Sequence, residues 1–192
     1  MSAAERVPVR VLVTDGDERS ALAVVRALGR RGHRPFVLSG SGRSMAGASR
    51  HARADVAAPS PQAEPEAFAA RVVAAARDVG ADVVLPVGEA SILATLAVRD
   101  RLAPACVPFP SLETFRAVCD KPRVLERARA LGIAVPAQHV ADSAAALREL
   151  AATALAYPLV AKPARSVAGG PAGLVKLRVR HAADAAALGR IA

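Results

Sequence analysis

Asparagine and tryptophan are absent from this 192-residue chain, and lysine supplies only three of its 26 Lys and Arg residues. Aromatic side chains make up 3% of the sequence, as Phe36, Phe68, Phe109, Phe115 and Tyr157. Five scattered rings offer no platform on which successive bases could stack. The formal charge of +9 therefore speaks to solubility and weak association. That charge is also spread out. Residues 1–110 carry 14 basic and 11 acidic groups, residues 111–192 carry 12 and 6, and no basic run exceeds Arg30-Arg31. Nucleic-acid binding would call for clustered charge that releases counterions, and is not expected as the main role. Cys106 and Cys119 lack CxxC spacing, which argues against a zinc site or a disulfide framework and for a reduced, cytoplasmic setting. No apolar stretch approaches the ~20 residues needed to cross a bilayer, and Met1 to Pro8 lack the apolar centre of a signal peptide. Neither secretion nor membrane insertion is expected.

What is abundant is Ala, Val and Leu, within a hydrophobic fraction of 53%, the usual filling between helices and a buried parallel sheet. Val9 to Thr14 reads as a buried strand, followed by the turn Asp15-Gly16-Asp17-Glu18 and a helix over Ser20 to Arg31 that Gly32 ends. Pro35 to Leu38 is a second strand leading into a flexible Ser39-Gly40-Ser41-Gly42 loop. A short strand at Ala54 to Ala57 and a helix from Glu64-Pro65-Glu66 to Val79 come next. They are followed by a strand at Val83 to Pro86, a helix from Gly88 to about Asp100 and a brief strand at Ala105 to Val107. This alternation predicts an α/β fold with a Rossmann-like parallel sheet over residues 1–110, since each parallel pair needs a crossover. Its ligand edge would hold the loops bearing Asp15 and Glu89. Asp15-Gly16-Asp17 is no GxGxxG motif, so no dinucleotide is inferred, and Glu89 reads first as an acid opposing the helix dipole and only second as a ligand contact.

Pro104, Pro108 and Pro110 mark a boundary to a smaller α+β part, residues 111–192. Helices are expected from Ser111 to Val118, from Lys121 to Leu131 before Gly132, from Ser143 to about Thr153 and from Ala182 onward. Strands are expected at Gln138 to Ala141, Leu159 to Lys162 and Leu174 to Val179. The last two would form a hairpin whose tip runs from Arg165 to Gly173. In a chain so biased to arginine, lysine is expected where a compact, mobile ammonium does what a planar guanidinium cannot. Lys121 opens a helix and Lys162 closes a strand before a glycine-rich loop, and both suit nucleotide phosphates. Lys176, within a strand, reads as an ordinary charged face. Gly169, Gly170 and Gly173 let backbone N–H groups approach a phosphate. The loop lacks the GK[ST] of a Walker A motif, and taken alone it is an ordinary hairpin turn.

The order of these pieces resembles the start of the ATP-grasp superfamily, nearest to its carboligase and carbamoyl-phosphate-synthase-like members. The likeness rests on Asp120-Lys121, Leu131-Gly132-Ile133 with Pro136, Tyr157 to Pro163, and Gly169-Gly170 with Gly173. Residues 1–110 would be the pre-ATP-grasp domain and 111–192 the first part of the ATP-grasp domain. The resemblance implies an enzyme that binds ATP and magnesium, phosphorylates a small carboxylate and lets an amine or similar nucleophile attack the acyl phosphate. Lys121 and Lys162 would touch the ATP phosphates, and Ser166 to Gly173 would be the mobile lid. Two positions depart from the family's form: Pro171 stiffens the tip, and Arg165 stands where a small residue is usual. Family members also place acidic residues, and often an asparagine, around magnesium in a later subdomain. Here only Asp184 is acidic after Glu149, so no magnesium site is expected from this chain. The expectation is an N-terminal portion, a truncated gene product or a chain that needs a partner, the partner being a complementing C-terminal half or a further copy in a homo-oligomer. The alternative is a non-catalytic Rossmann-like module that binds a small ligand or partner.

Overall fold

The computed structural model describes residues 7–170 and 173–191. Two compact units emerge. The first runs to Phe115 and takes in Gly169–Val175; the second holds Arg116–Ala168 and the chain from Lys176 onward.

The first unit is built on a four-stranded sheet in the order β3-β2-β1-β4, with β1 at Arg10–Val13, β2 at Arg34–Ser39, β3 at Asp55–Ala57 and β4 at Val83–Leu85. Every pairing is parallel: Leu12 sits opposite Phe36 on one side and Val84 on the other, and Leu38 opposite Val56. Side-chain alternation then sorts the faces. Val11, Val13 and Val37 pack with Ala21 and Val25 of helix α1 (Arg19–Arg30). Leu12, Leu38 and Val84 pack with Phe68, Val72 and Val73 of α2 (Pro65–Asp78) and with Ile92 and Leu96 of α3 (Glu89–Ala97). Helices thus cover both faces, which is why the strands are apolar without a polar alternate row. Gly32 and Gly80 lie just past α1 and α2 at φ +82° and +56°, the left-handed stop that glycine adopts without strain.

Two expectations fail here. Ala105 to Val107 forms only a single parallel bridge, Val83 to Cys106, because Pro104 and Pro108 bound it and proline donates no ladder hydrogen bond. The Ser39 to Gly42 loop is pinned rather than free. Gly40 N–H donates to Asp17 at 3.0 Å, and Gly42 N–H to Ser39 Oγ at 3.0 Å. Asp55 draws in Ser44 N–H at 2.6 Å and Ser44 Oγ at 2.7 Å.

In the second unit, α5 (Lys121–Ala130), α6 (Ala144–Ala151) and α7 (Ala185–Gly189) accompany a two-stranded antiparallel sheet of β5 (Leu159–Ala161) and β8 (Arg180–Ala182). The capping residues are Asp120, Ser143 and Asp184, each accepting a backbone N–H from inside its helix. Helix α4 (Leu112–Cys119) precedes α5 and buries no residue fully. The remaining strands, β6 (Val167–Gly170) and β7 (Gly173–Lys176), pair with each other.

Three expectations are corrected in this stretch. β5 pairs with β8 and not with the Leu174 to Val179 segment, whose first residues pair with β6 instead. The predicted helix start at Ala182 moves to Ala185, because Ala182 is buried in β8 and Asp184 supplies the cap. No strand forms at Gln138 to Ala141; Val140 is left 63% exposed, and a strand without a partner leaves its backbone groups unpaired.

Candidate functional site

The densest polar constellation in the second unit is built where the start of α5 meets the segment after β5. Lys121 makes three bonds to it: its backbone N–H donates to Ala164 O at 2.9 Å, and its Nζ donates to Pro163 O at 3.1 Å and Ser166 Oγ at 3.2 Å. Asp120 caps α5 by accepting Arg123 N–H at 3.3 Å. The same carboxylate receives the Arg165 fork, through Nε at 3.2 Å and Nη2 at 3.1 Å. The backbone N–H of Arg123 is the main cause that holds the Asp120 carboxyl below the usual carboxylate range; burial opposes it as the next largest effect, and the Arg165 fork adds to the lowering. The segment is closed from the far side by Leu177 N–H donating to Ser166 O at 2.8 Å.

The charge balance at Lys121 decides what the place can do. Its ammonium is half-buried and held by a carbonyl and a hydroxyl, and no carboxylate among the described residues pairs with it. Neutral acceptors orient the group without cancelling its charge, and one of its three N–H donors remains for a ligand. Lys162 directly precedes the clamped segment, is exposed, and has no hydrogen-bond or ion-pair partner among the described residues. The structure therefore brings Lys121 and Ser166 into contact and places Lys162 at the head of the same short segment. The Asp120–Arg165 pair was not foreseen from sequence. Its only trace there was a bulky cation in a run of small residues.

Gly169 and Gly170 lie on β6 and Gly173 opens β7; all three count with the first unit. Gly173 has φ +119°, and a Cβ there would stand 2.3 Å from the Gln62 carbonyl oxygen, so only glycine fits. Leu174 N–H donates to that oxygen at 2.7 Å. Pro171 and Ala172 of the expected lid fall outside the described residues.

At the sheet edge of the first unit, Asp15 adopts φ 59°, a left-handed conformation that Asp tolerates better than most residues. Its carboxylate accepts Gly88 N–H at 2.9 Å, Val87 N–H at 3.2 Å and Ser91 Oγ at 2.5 Å, and also bonds the Thr14 hydroxyl. It thereby sits at the N-terminus of α3, where the helix dipole favours an anion. Glu89 is the first residue of that helix and half-buried. Among the described residues, no group of three His, Cys, Asp or Glu side chains could hold a metal ion. No helix there is long and apolar enough to cross a membrane.

A parallel sheet with helices on both faces, followed by a small α+β unit whose helix-start lysine is clamped to a post-strand loop, defines the class as α/β. Solved structures narrow it. The chain is similar to the L-amino acid ligase of Bacillus licheniformis (TM-score 0.65, 18% identity, 98% of this chain and 42% of that one). It is also similar to the biotin carboxylase domain of Hydrogenobacter thermophilus 2-oxoglutarate carboxylase, solved with ADP, magnesium and bicarbonate (TM-score 0.59, 20% identity, 97% and 40%). A third likeness is to N5-carboxyaminoimidazole ribonucleotide synthetase of Thermotoga maritima (TM-score 0.52, 19% identity, 88% and 40%). What the chain shares with these three is the fold. The chain spans about two fifths of their length. No protein-family model and no curated relative matches it.

Proposed function

We propose that this chain carries the phosphate-binding part of an ATP-dependent ligase that activates a carboxylate. The observation that carries the reading is the unneutralised Lys121 ammonium, oriented by Pro163 O and Ser166 Oγ at the head of α5. ATP, when bound, supplies the phosphoryl group that turns a carboxylate into an acyl phosphate open to attack by an amine or similar nucleophile. Lys121 and Lys162 bind and orient the phosphates, and their two positive charges oppose the mutual repulsion of the phosphate oxygens. Ser166 holds the Lys121 ammonium in place, so the cation does not have to be immobilised when the nucleotide arrives. Gly169, Gly170 and Gly173 would let backbone N–H groups approach a phosphate closely. Asp15 and Glu89 mark the sheet edge proposed for the carboxylate substrate, with Asp15 acting through the backbone it holds.

The described residues do not fit magnesium, since hard oxygen donors are not grouped among them. They give no step that runs through the metal, and its ligands would come from a complementing half or a second copy of the chain.

The test is calorimetric titration of ATP, without magnesium, into the whole chain and into Lys121→Ala and Lys162→Ala. Loss of a charge-assisted contact lowers affinity by about tenfold or more in each. Lys162 has no partner to lose, so its variant reports binding separately from any loosening of the Lys121 clamp. Unchanged ATP affinity in both variants overturns the reading and leaves the non-catalytic binding module.

A further inference from the structure

The first unit carries a second place with unbalanced positive charge. An open depression of about 440 Å³ is lined by Arg26, Arg30, Ala48, Ser49, Arg50 and His51. Arg26 and Arg30 stand one turn apart on α1, and Arg50 and His51 come from the turn that packs against it. No carboxylate lines the depression. Among the described residues the ion pairs are Arg10–Asp82, Arg71–Asp78 and Arg165–Asp120, so none of these three arginines is neutralised. The helix dipole accounts for Arg30 in the last turn of α1, but not for Arg26 one turn earlier, nor for Arg50 on a different segment. Like charges at i,i+4 repel on a helix surface, and an arrangement that concentrates them is relieved by an anion.

The scaffold under the charges is closely built. A Cβ on Gly29 would stand 2.3 to 2.6 Å from Cβ, Cγ and Nδ1 of His51, so the turn sits directly on the helix backbone. Glycine within a helix costs about 1 kcal/mol relative to alanine, and here it permits that approach. The turn is fixed by its own bonds: Ala48 N–H to Ser44 O at 2.9 Å, Ser49 N–H to Ala46 O at 3.2 Å and Ala52 N–H to Ser49 O at 2.9 Å. Ser44 is in turn locked to Asp55. The guanidinium stems therefore arise from two rigid supports.

We propose that this depression binds a phosphorylated small molecule, with Arg26, Arg30 and Arg50 clamping its phosphate oxygens. Guanidinium forks match phosphate geometry bidentately, and the volume falls within the few hundred Å³ of ordinary ligand pockets. The site is independent of the lysine site proposed above, since it uses none of that site's residues.

The experiment is a residue-resolved NMR titration of the ¹⁵N-labelled whole chain with inorganic pyrophosphate at constant ionic strength. Saturable shifts are expected at the amides of Gly29, Ser49 and Arg50. Affinity read there should fall at least about tenfold in Arg26→Gln/Arg30→Gln and severalfold in Arg50→Gln. All three side chains are exposed, so the variants keep the parent melting temperature; the single Arg50→Gln serves should the double variant fold poorly. Absence of saturable shifts at those amides, or affinity unchanged in both variants, overturns the site. Anionic vesicles or a duplex oligonucleotide that engage these arginines and resist displacement by pyrophosphate overturn the small-molecule assignment. Because the readout is local to α1 and its turn, loss of ATP binding in Lys162→Ala leaves this result standing, and the converse holds.

Discussion

The two compact units are held together by different means. In the first, Leu12, Leu38, Val72 and Val84 are each at most 1% exposed, and helices seal both faces of the sheet. In the second, the buried cluster consists of Ala151, Ala182 and Leu188, and α5 buries no residue fully. Val118, Val124, Leu131, Ile133, Val140 and Val160 are all more than 40% exposed there. What orders its lysine site is polar: a helix cap, an arginine fork and an ammonium shared between a carbonyl and a hydroxyl. Burial supplies most of the free energy of a fold, while single hydrogen bonds contribute about 1 kcal/mol each. The first unit is thus the stable scaffold and the second the softer one.

The sharpest way to break this contrast is by truncating apolar side chains. Leu12→Ala leaves a cavity in the central strand and is expected to cost about 3 kcal/mol, within the range for buried Leu→Ala changes. Val160→Ala on β5, half exposed, is expected to change stability by no more than about 0.5 kcal/mol. Urea unfolding followed by far-ultraviolet circular dichroism measures both, and equal costs would refute the contrast. The single tyrosine, Tyr157, packs with the small cluster of the second unit. Its fluorescence should change at lower urea than the main dichroism transition, and coincident transitions would show one cooperative body.

A smaller effect tests the sheet edge. Asp15→Ala strands the Gly88 N–H and the Ser91 hydroxyl and leaves the Val87 N–H with Thr14 Oγ1 alone, at an expected cost of about 2 kcal/mol. Asp15→Asn keeps one acceptor and the tolerance for positive φ, and should lose about half as much. If Asp15→Ala melts like the parent while weakening ligand binding, the residue serves ligands and not the fold.

The contrast also explains what could be read in advance. Strands β1, β2 and β4 were legible because a buried parallel strand must be a short β-branched run, and Val9 to Thr14 has no other use. Gly32, Gly80 and Gly132 announced helix ends, and each has positive φ. Lys121 and Lys162 stood out through scarcity. The partner of β5 was not legible, since Leu174 to Val179 and Arg180 to Ala182 are both acceptable strands. The choice between them rests on burying Ala182, a long-range event with no local signature. The arginine depression was invisible for the opposite reason: with 26 Lys and Arg residues, no spacing distinguishes Arg26, Arg30 and Arg50 from the rest until the fold gathers them.

The finest test compares one carboxylate from each unit. Asp82 takes the Arg10 backbone N–H at 2.7 Å and an ion pair with the Arg10 side chain. Asp120 takes the Arg123 N–H and the Arg165 fork. In both, the backbone N–H is the leading cause that holds the carboxyl below its ordinary value. The folded state therefore binds a proton more weakly than the unfolded chain does. The stabilisation is complete above the unfolded carboxylate range and is lost as pH falls through the lowered folded value. Acidification from about pH 6 to about pH 3 should weaken both units, with Asp120→Asn flattening the response seen by Tyr157 fluorescence and Asp82→Asn that seen by dichroism. Since the second unit has little burial behind its clamp, its transition should move further over that interval. A Tyr157 transition that ignores pH in the parent, or shifts equally in Asp120→Asn, would mean that the Asp120–Arg165 clamp does not hold the lysine site together.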